Sequence, residues 1–88
     1  MKCILKNTDY DCIQWKGNNF DEICKFCEGT KISFTLNYQD NNLTFHNNYN
    51  SVYYEQKIKL SDYIIKTNNI FFNILSEEDF NKMYRIIN

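Results

Sequence analysis

The chain has 88 residues, with 10 basic and 11 acidic side chains, a formal charge of −1, four Cys, two Gly and no Pro. One domain spanning residues 1–88 is expected, in which folding buries roughly 60–65% of the unfolded surface around a modest core. The near-neutral charge argues against general DNA binding; apolar runs of only three or four residues exclude a membrane span, and no signal peptide is expected.

Lys2 to Leu5 and Tyr10 to Trp15 are strand-like, with a turn at Asn7-Thr8-Asp9 between them. After Gly17, Asn18-Asn19 offer an N-cap, and Phe20, Ile23, Cys24 and Cys27 follow at helical spacing. Asp21 and Glu22 in the first turn and Gly29 past the end complete a helix over about 19–28. Its apolar stripe, including both cysteines, is expected to face the core.

Lys31 to Asn37 alternates Ile32, Phe34 and Leu36 against Ser33 and Thr35. Gln39 to Asn42 turns, Leu43 to His46 resumes the alternation as a hairpin partner, and Asn47 to Ser51 reads as a second turn. Val52 to Leu60 then alternates Val52, Tyr54, Ile58 and Leu60, expected in the core, against Tyr53, Glu55, Lys57 and Lys59. Tyr63 to Lys66 and Ile70 to Leu75 form a further hairpin around Thr67-Asn68-Asn69. Ser76, followed by Glu77, Glu78 and Asp79, caps a helix over about 76–83, and Met83 to Ile87 is open between helix and edge strand. Turns too short for parallel crossovers imply an α+β fold. The expected architecture is a mostly antiparallel sheet of five or six strands with two short helices packed on one face.

The chain contains no Ala, but 14 Asn, 11 Ile and 9 Lys, a usage that follows AT-rich codons. With 24% charged and 17% aromatic residues, it lies away from the composition of disordered chains.

Three blocks carry a family resemblance. Cys12-Ile13-Gln14-Trp15-Lys16-Gly17-Asn18-Asn19 running into a Glu22-Ile23-x-x-Phe26 helix comes first. Leu60-Ser61-Asp62-Tyr63-Ile64-Ile65-Lys66 and Phe80-x-x-x-Tyr84 follow. In this order they resemble the PGDYG-like family of small bacteriophage and prophage proteins, although Leu60-Ser61 replaces that family's Pro-Gly pair and residues 38–57 match no part of it. The resemblance implies an accessory protein in the host bacterial cytoplasm. It implies no reaction.

Cys24-x-x-Cys27 together with Cys3 and Cys12 offers four thiolates for zinc, but without a second Cys-x-x-Cys. Cysteines on a helix stripe read more simply as core packing, so neither metal nor cofactor is expected. His46, the only histidine, reads as a solvated residue of an Asn-rich loop. The acidic clusters start helices, and no glycine-rich phosphate loop is present. An enzyme is therefore not expected.

Aromatic and basic residues are the candidate binding set: Trp15, Tyr49, Tyr53, Lys57, Lys59, Lys66 and Arg85 as an exposed rim. The functional expectation is a protein that acts by binding, inhibiting a host antiviral defence protein in the manner of an anti-CRISPR. The alternatives are a homo-oligomeric sponge for a signalling nucleotide and a zinc-stabilised structural module.

Overall fold

The computed structural model describes residues 1–49, 52–67 and 72–87, with the backbone alone at 48 and 49. In chain order the elements are β1 (Lys2–Leu5), β2 (Thr8–Gln14), α1 (Phe20–Phe26), β3 (Ile32–Asn37), β4 (Asn42–Tyr49), β5 (Val52–Ile58), β6 (Tyr63–Lys66), β7 (Phe72–Leu75), α2 (Glu77–Met83) and β8 (Arg85–Ile87). The α+β class holds, but the eight strands form two antiparallel sheets instead of one. A five-stranded sheet has the order β7-β6-β2-β1-β8 and a three-stranded sheet the order β3-β4-β5. The alternation in residues 32–58 defined a buried face for each strand without saying which sheet the strand would join.

The layers follow from two successive residues. Ile64 and Ile65 are both fully buried in β6 and must point to opposite faces of the larger sheet. Ile64 packs with Trp15, Ile23 of α1 and the inner face of the small sheet, namely Ile32, Phe34, Leu43, Phe45 and Ile58. Ile65 packs with Cys3, Cys12, Tyr63, Tyr84 and Phe80 of α2. The two helices therefore cover opposite faces of the five-stranded sheet, not one face. The tail left open resolves as strand β8, paired with β1. Strand β4 runs on through Asn47 to Tyr49, where a turn was expected, and β2 begins at Thr8, within another expected turn. Residues 50–51 and the 68–71 part of the last hairpin lie outside the described residues.

Local chemistry explains the helix ends. Ser76 Oγ accepts from the Asp79 amide at 3.2 Å, with three acidic residues in the first turn of α2. Asn19 holds the N-cap position of α1, but its side chain turns the other way. Its Nδ2 donates to the Gln14 carbonyl and its Oδ1 accepts from the Lys16 amide, both at 2.9 Å. These bonds fold the β2–α1 connection back on itself.

That connection carries Trp15, which is fully buried. Its main chain joins the 61–62 turn: the Trp15 amide donates to the Asp62 carbonyl at 2.9 Å, and the Ser61 amide donates to the Trp15 carbonyl at 2.8 Å. Its indole N–H donates to the Asn41 carbonyl at 3.1 Å. Asn41 in turn donates to the Gly17 carbonyl at 3.2 Å, and a Cβ on Gly17 would meet Asn41 Nδ2 at 2.8 Å. The 59–62 turn closes with the Asp62 amide on the Lys59 carbonyl at 3.0 Å, with Ser61 at φ +76°. A positive φ at the third turn position is the type II pattern, which favours Pro second and Gly third.

Trp15→Ala is expected to cost about 3–5 kcal/mol, as for other fully buried large side chains. Ser61→Gly should instead raise stability by about 0.5–1 kcal/mol by relieving the left-handed backbone. Urea unfolding monitored by circular dichroism checks both, and a Trp15→Ala loss below 1 kcal/mol would contradict this account.

Candidate functional site

Strands β4 and β5 have eight and seven residues, whereas β6 and β7 opposite them have four each. At about 3.3 Å per residue the longer pair overhangs by roughly 10 Å. Among the described residues the inner face of the small sheet consequently runs out of cover. Ile58 is fully buried near one end, but Tyr54 is 53% and Val52 66% exposed at the other. Leu60, expected as the next core residue, falls beyond the end of β5 and is also exposed.

The overhang opens a groove of about 400 Å³ between Phe45 and Asn47 of β4, Val52, Tyr54 and Gln56 of β5, and Phe72, Asn73 and Ile74 of β7. The Phe45 ring lies 6.1 Å from both Tyr54 and Phe72, within the range of favourable aromatic contact. Tyr54 donates its hydroxyl to Gln56 Oε1 at 2.7 Å. The lining is three aromatic rings, two aliphatic side chains and three carboxamides, with no charged group among them. Neutral pockets of this kind suit apolar side chains with flanking amides.

The outer face of the same sheet carries a polar chain. His46 stands mid-strand in β4, opposite Ser33 and Glu55, and not in a loop as its surrounding asparagines suggested. Its Nε2 contacts Thr35 Oγ1 at 2.9 Å and its Nδ1 contacts the Tyr53 hydroxyl. Tyr53 donates to Glu55 Oε2 at 2.7 Å, and this bond to the carboxylate raises the phenol above its ordinary value. Thr35, His46 and Glu55 come from three adjacent strands, an arrangement that can relay a proton. None of these side chains borders the groove.

A shallower cavity of about 230 Å³ lies at the other side of the larger sheet, between Ile4, Lys6, Lys82, Met83, Tyr84 and Arg85. It gathers three cations, of which Lys82 also pairs with Glu78 at 3.2 Å.

The expected rim is not one surface. Trp15 is interior. Tyr53 and Lys57 share the outer face of β5, and Lys59 follows in the exposed turn. Lys66 is half-buried, with its ammonium 4.6 Å from the Phe26 ring centroid and 5.9 Å from that of Phe72. Arg85 belongs to the second cavity, and the side chain of Tyr49 lies outside the described residues. The groove-lining residues Val52 and Tyr54 had been read as core, because alternation reports a face and not how far the layer above it extends. That Lys6 lies beside Lys82 and Arg85 left no local signal in the sequence.

The thiols are similarly dispersed. Cys3 and Cys12 belong to the cluster beneath α2, Cys27 to the one beneath α1, and Cys24 is exposed instead of facing the core. Among the described residues no three His, Cys, Asp or Glu side chains group to hold a metal ion. Desolvation pushes the Cys12 thiol up to about 12, with a hydrogen bond involving Cys3 adding to it, and burial raises Cys3 and Cys27 as well.

Comparison of the chain with protein-family models, with curated proteins and with solved structures finds no match in any of the three.

The native protein should therefore titrate one thiol rapidly with a chromogenic disulfide, that of Cys24, and the other three only on unfolding; rapid reaction of two or more would contradict the placement. An unfolded thiol ionises near 9.0 and the folded Cys12 near 12, so the folded state gains from the neutral form. That contribution is complete below pH 9.0 and is lost as pH rises through about 12. Thermal unfolding is expected to show a melting temperature that falls above pH 9, and a flat profile to pH 11 would refute it.

Proposed function

We propose that this protein acts by binding another protein through the groove between β5 and β7, and performs no chemistry of its own. The reading is that of a small phage-type accessory factor which occludes a host antiviral defence protein in the bacterial cytoplasm. The exposure of Val52 and Tyr54 beside a neutral, aromatic-walled groove carries it. Aromatic anchors of this type, set in pockets with a polar surround, dominate protein–protein binding energy.

Charge placement favours a protein segment over a phosphorylated nucleotide. The Lys6, Lys82 and Arg85 cavity adjoins β8, while the groove adjoins β7. These strands are at opposite ends of the β7-β6-β2-β1-β8 sheet, separated by four strand spacings or about 19 Å. A nucleotide with its base in the groove cannot bring its phosphates to those cations. Lys66, beside Phe72, has its ammonium over aromatic rings. The phage setting rests on the family resemblance, and the turn at Leu60-Ser61 supports it. Those two residues hold the positions of a type II turn at which Pro and Gly are the favoured pair.

Affinity-tagged protein expressed in a bacterium with active antiviral defence should co-purify with one defence protein in a stoichiometric complex. Tyr54→Asp should abolish that complex while leaving the circular dichroism spectrum unchanged. Mass spectrometry of the denatured wild-type preparation should find no released nucleotide. A bound nucleotide, or a complex indifferent to Tyr54→Asp, would overturn the assignment.

A further inference from the structure

Among the described residues β5 ends its sheet, leaving one edge of its backbone without a strand partner. Natural edge strands are blunted by charged side chains, proline, bulges or a covering element; the charges on this one, Glu55 and Lys57, are of opposite sign. Here there is no proline, and the pairing with β4 runs without a bulge from Leu43↔Ile58 to Tyr49↔Val52. Val52, Tyr53 and Tyr54, three consecutive large side chains, are each more than half exposed on it. Such an edge is a template for another strand, and its own sequence identifies which one.

When two copies of a strand pair antiparallel about a two-fold axis, the axis passes through a residue facing itself, and the flanking residues pair reciprocally. An axis at Glu55 sets carboxylate against carboxylate, and an axis at Lys57 sets ammonium against ammonium. An axis at Tyr54 gives neither Glu55 nor Lys57 a charged partner from β5. With the axis at Gln56, Glu55 of each chain faces Lys57 of the other, Tyr53 faces Lys59, and Tyr54 faces Ile58. Only this register gives both charges of β5 opposite partners, twice over. A carboxylate accepts hydrogen bonds at both oxygens, so the Tyr53 bond to Glu55 Oε2 is compatible with an incoming Lys57 ammonium.

We propose that the protein is a two-fold homodimer in which β5 pairs antiparallel with β5 of a second copy about Gln56, joining two three-stranded sheets into one of six. The inner-face alternation then brings Tyr54 and Gln56 of both copies side by side, and the two grooves become one continuous two-fold groove. This goes beyond the binding reading above and is tested on the isolated protein, so its failure leaves the partner experiment unaffected.

Size-exclusion chromatography with light scattering should show wild-type dimer at micromolar concentration. Glu55→Lys and Lys57→Glu each place two pairs of like charges across the axis, and each should raise the dimer dissociation constant at least about tenfold. An equimolar mixture of the two single variants should recover a heterodimer, because the introduced lysine of one chain then faces the introduced glutamate of the other. The variant carrying both changes in one chain should dimerise on its own. Circular dichroism of the Lys57→Glu monomer should match the wild-type spectrum, which separates loss of pairing from loss of fold. A wild-type monomer would overturn the proposal and leave the edge to a different partner. A dimer that neither reversal weakens, or single variants that stay monomeric on mixing, would overturn the register.

Discussion

The structure depends on the burial of one indole. Trp15 leaves the end of β2 at the point where the chain departs for α1, and it bonds three segments distant in sequence. Its main chain joins the turn at Ser61-Asp62, its indole N–H joins the β3–β4 turn at Asn41, and its ring is fully enclosed with Ile23, Phe45 and Ile64. A buried indole N–H without an acceptor is costly, so the Asn41 carbonyl must be held where it is. Asn41, at φ +58°, is itself tied to the Gly17 carbonyl, whose residue leaves no room for a Cβ. The small sheet is thereby locked onto the large one in a single position.

The groove is a consequence of that lock. Once the sheets are registered, long β4 and β5 project beyond short β6 and β7, and among the described residues the inner-face side chains at their far end have little above them. The groove is thus a mismatch of strand lengths, lined by residues whose pattern is that of a core. Beneath α2 the opposite condition holds. Tyr63, Phe80 and Tyr84 stack with centroid separations of 3.7 and 5.2 Å, and the Cys3 and Cys12 thiols are sealed in beside them. One face of the large sheet serves as a closed core, while the layer on the other carries the exposed edge of β5. The polar chain from Thr35 through His46 and Tyr53 to Glu55 braces the outer side of that edge.

Much of the local structure was legible in the residues. Helix α1 was read from the Phe20, Ile23, Cys24 and Cys27 spacing, although Cys24 proves exposed, and the cluster at Ser76 announced α2, because capping and helical periodicity act within a few residues. The strand pairs β3–β4 and β6–β7 were legible for the same reason. Asparagine misled twice. Asn47 and Asn48 suggested a turn where β4 continues, and they made His46 look like a loop residue although it sits mid-strand among hydrogen-bond partners. The candidate site was read as a rim of Trp, Tyr, Lys and Arg, of which Tyr53 and Lys57 share a strand face. Trp15, the largest of the set, is interior.

By itself the sequence determined the α+β class, both helices, most strand positions and the alternation that gives each strand a buried side, since these follow from spacing and turn chemistry between near neighbours. The tertiary structure alone decided that the strands divide into two sheets, that the helices lie on opposite faces, that Trp15 is enclosed, and that Tyr54 is open to solvent. Each of these depends on which layer lies opposite a given side chain and on how far that layer reaches. That is a relation between segments tens of residues apart, and hydrophobic periodicity along one strand does not encode it.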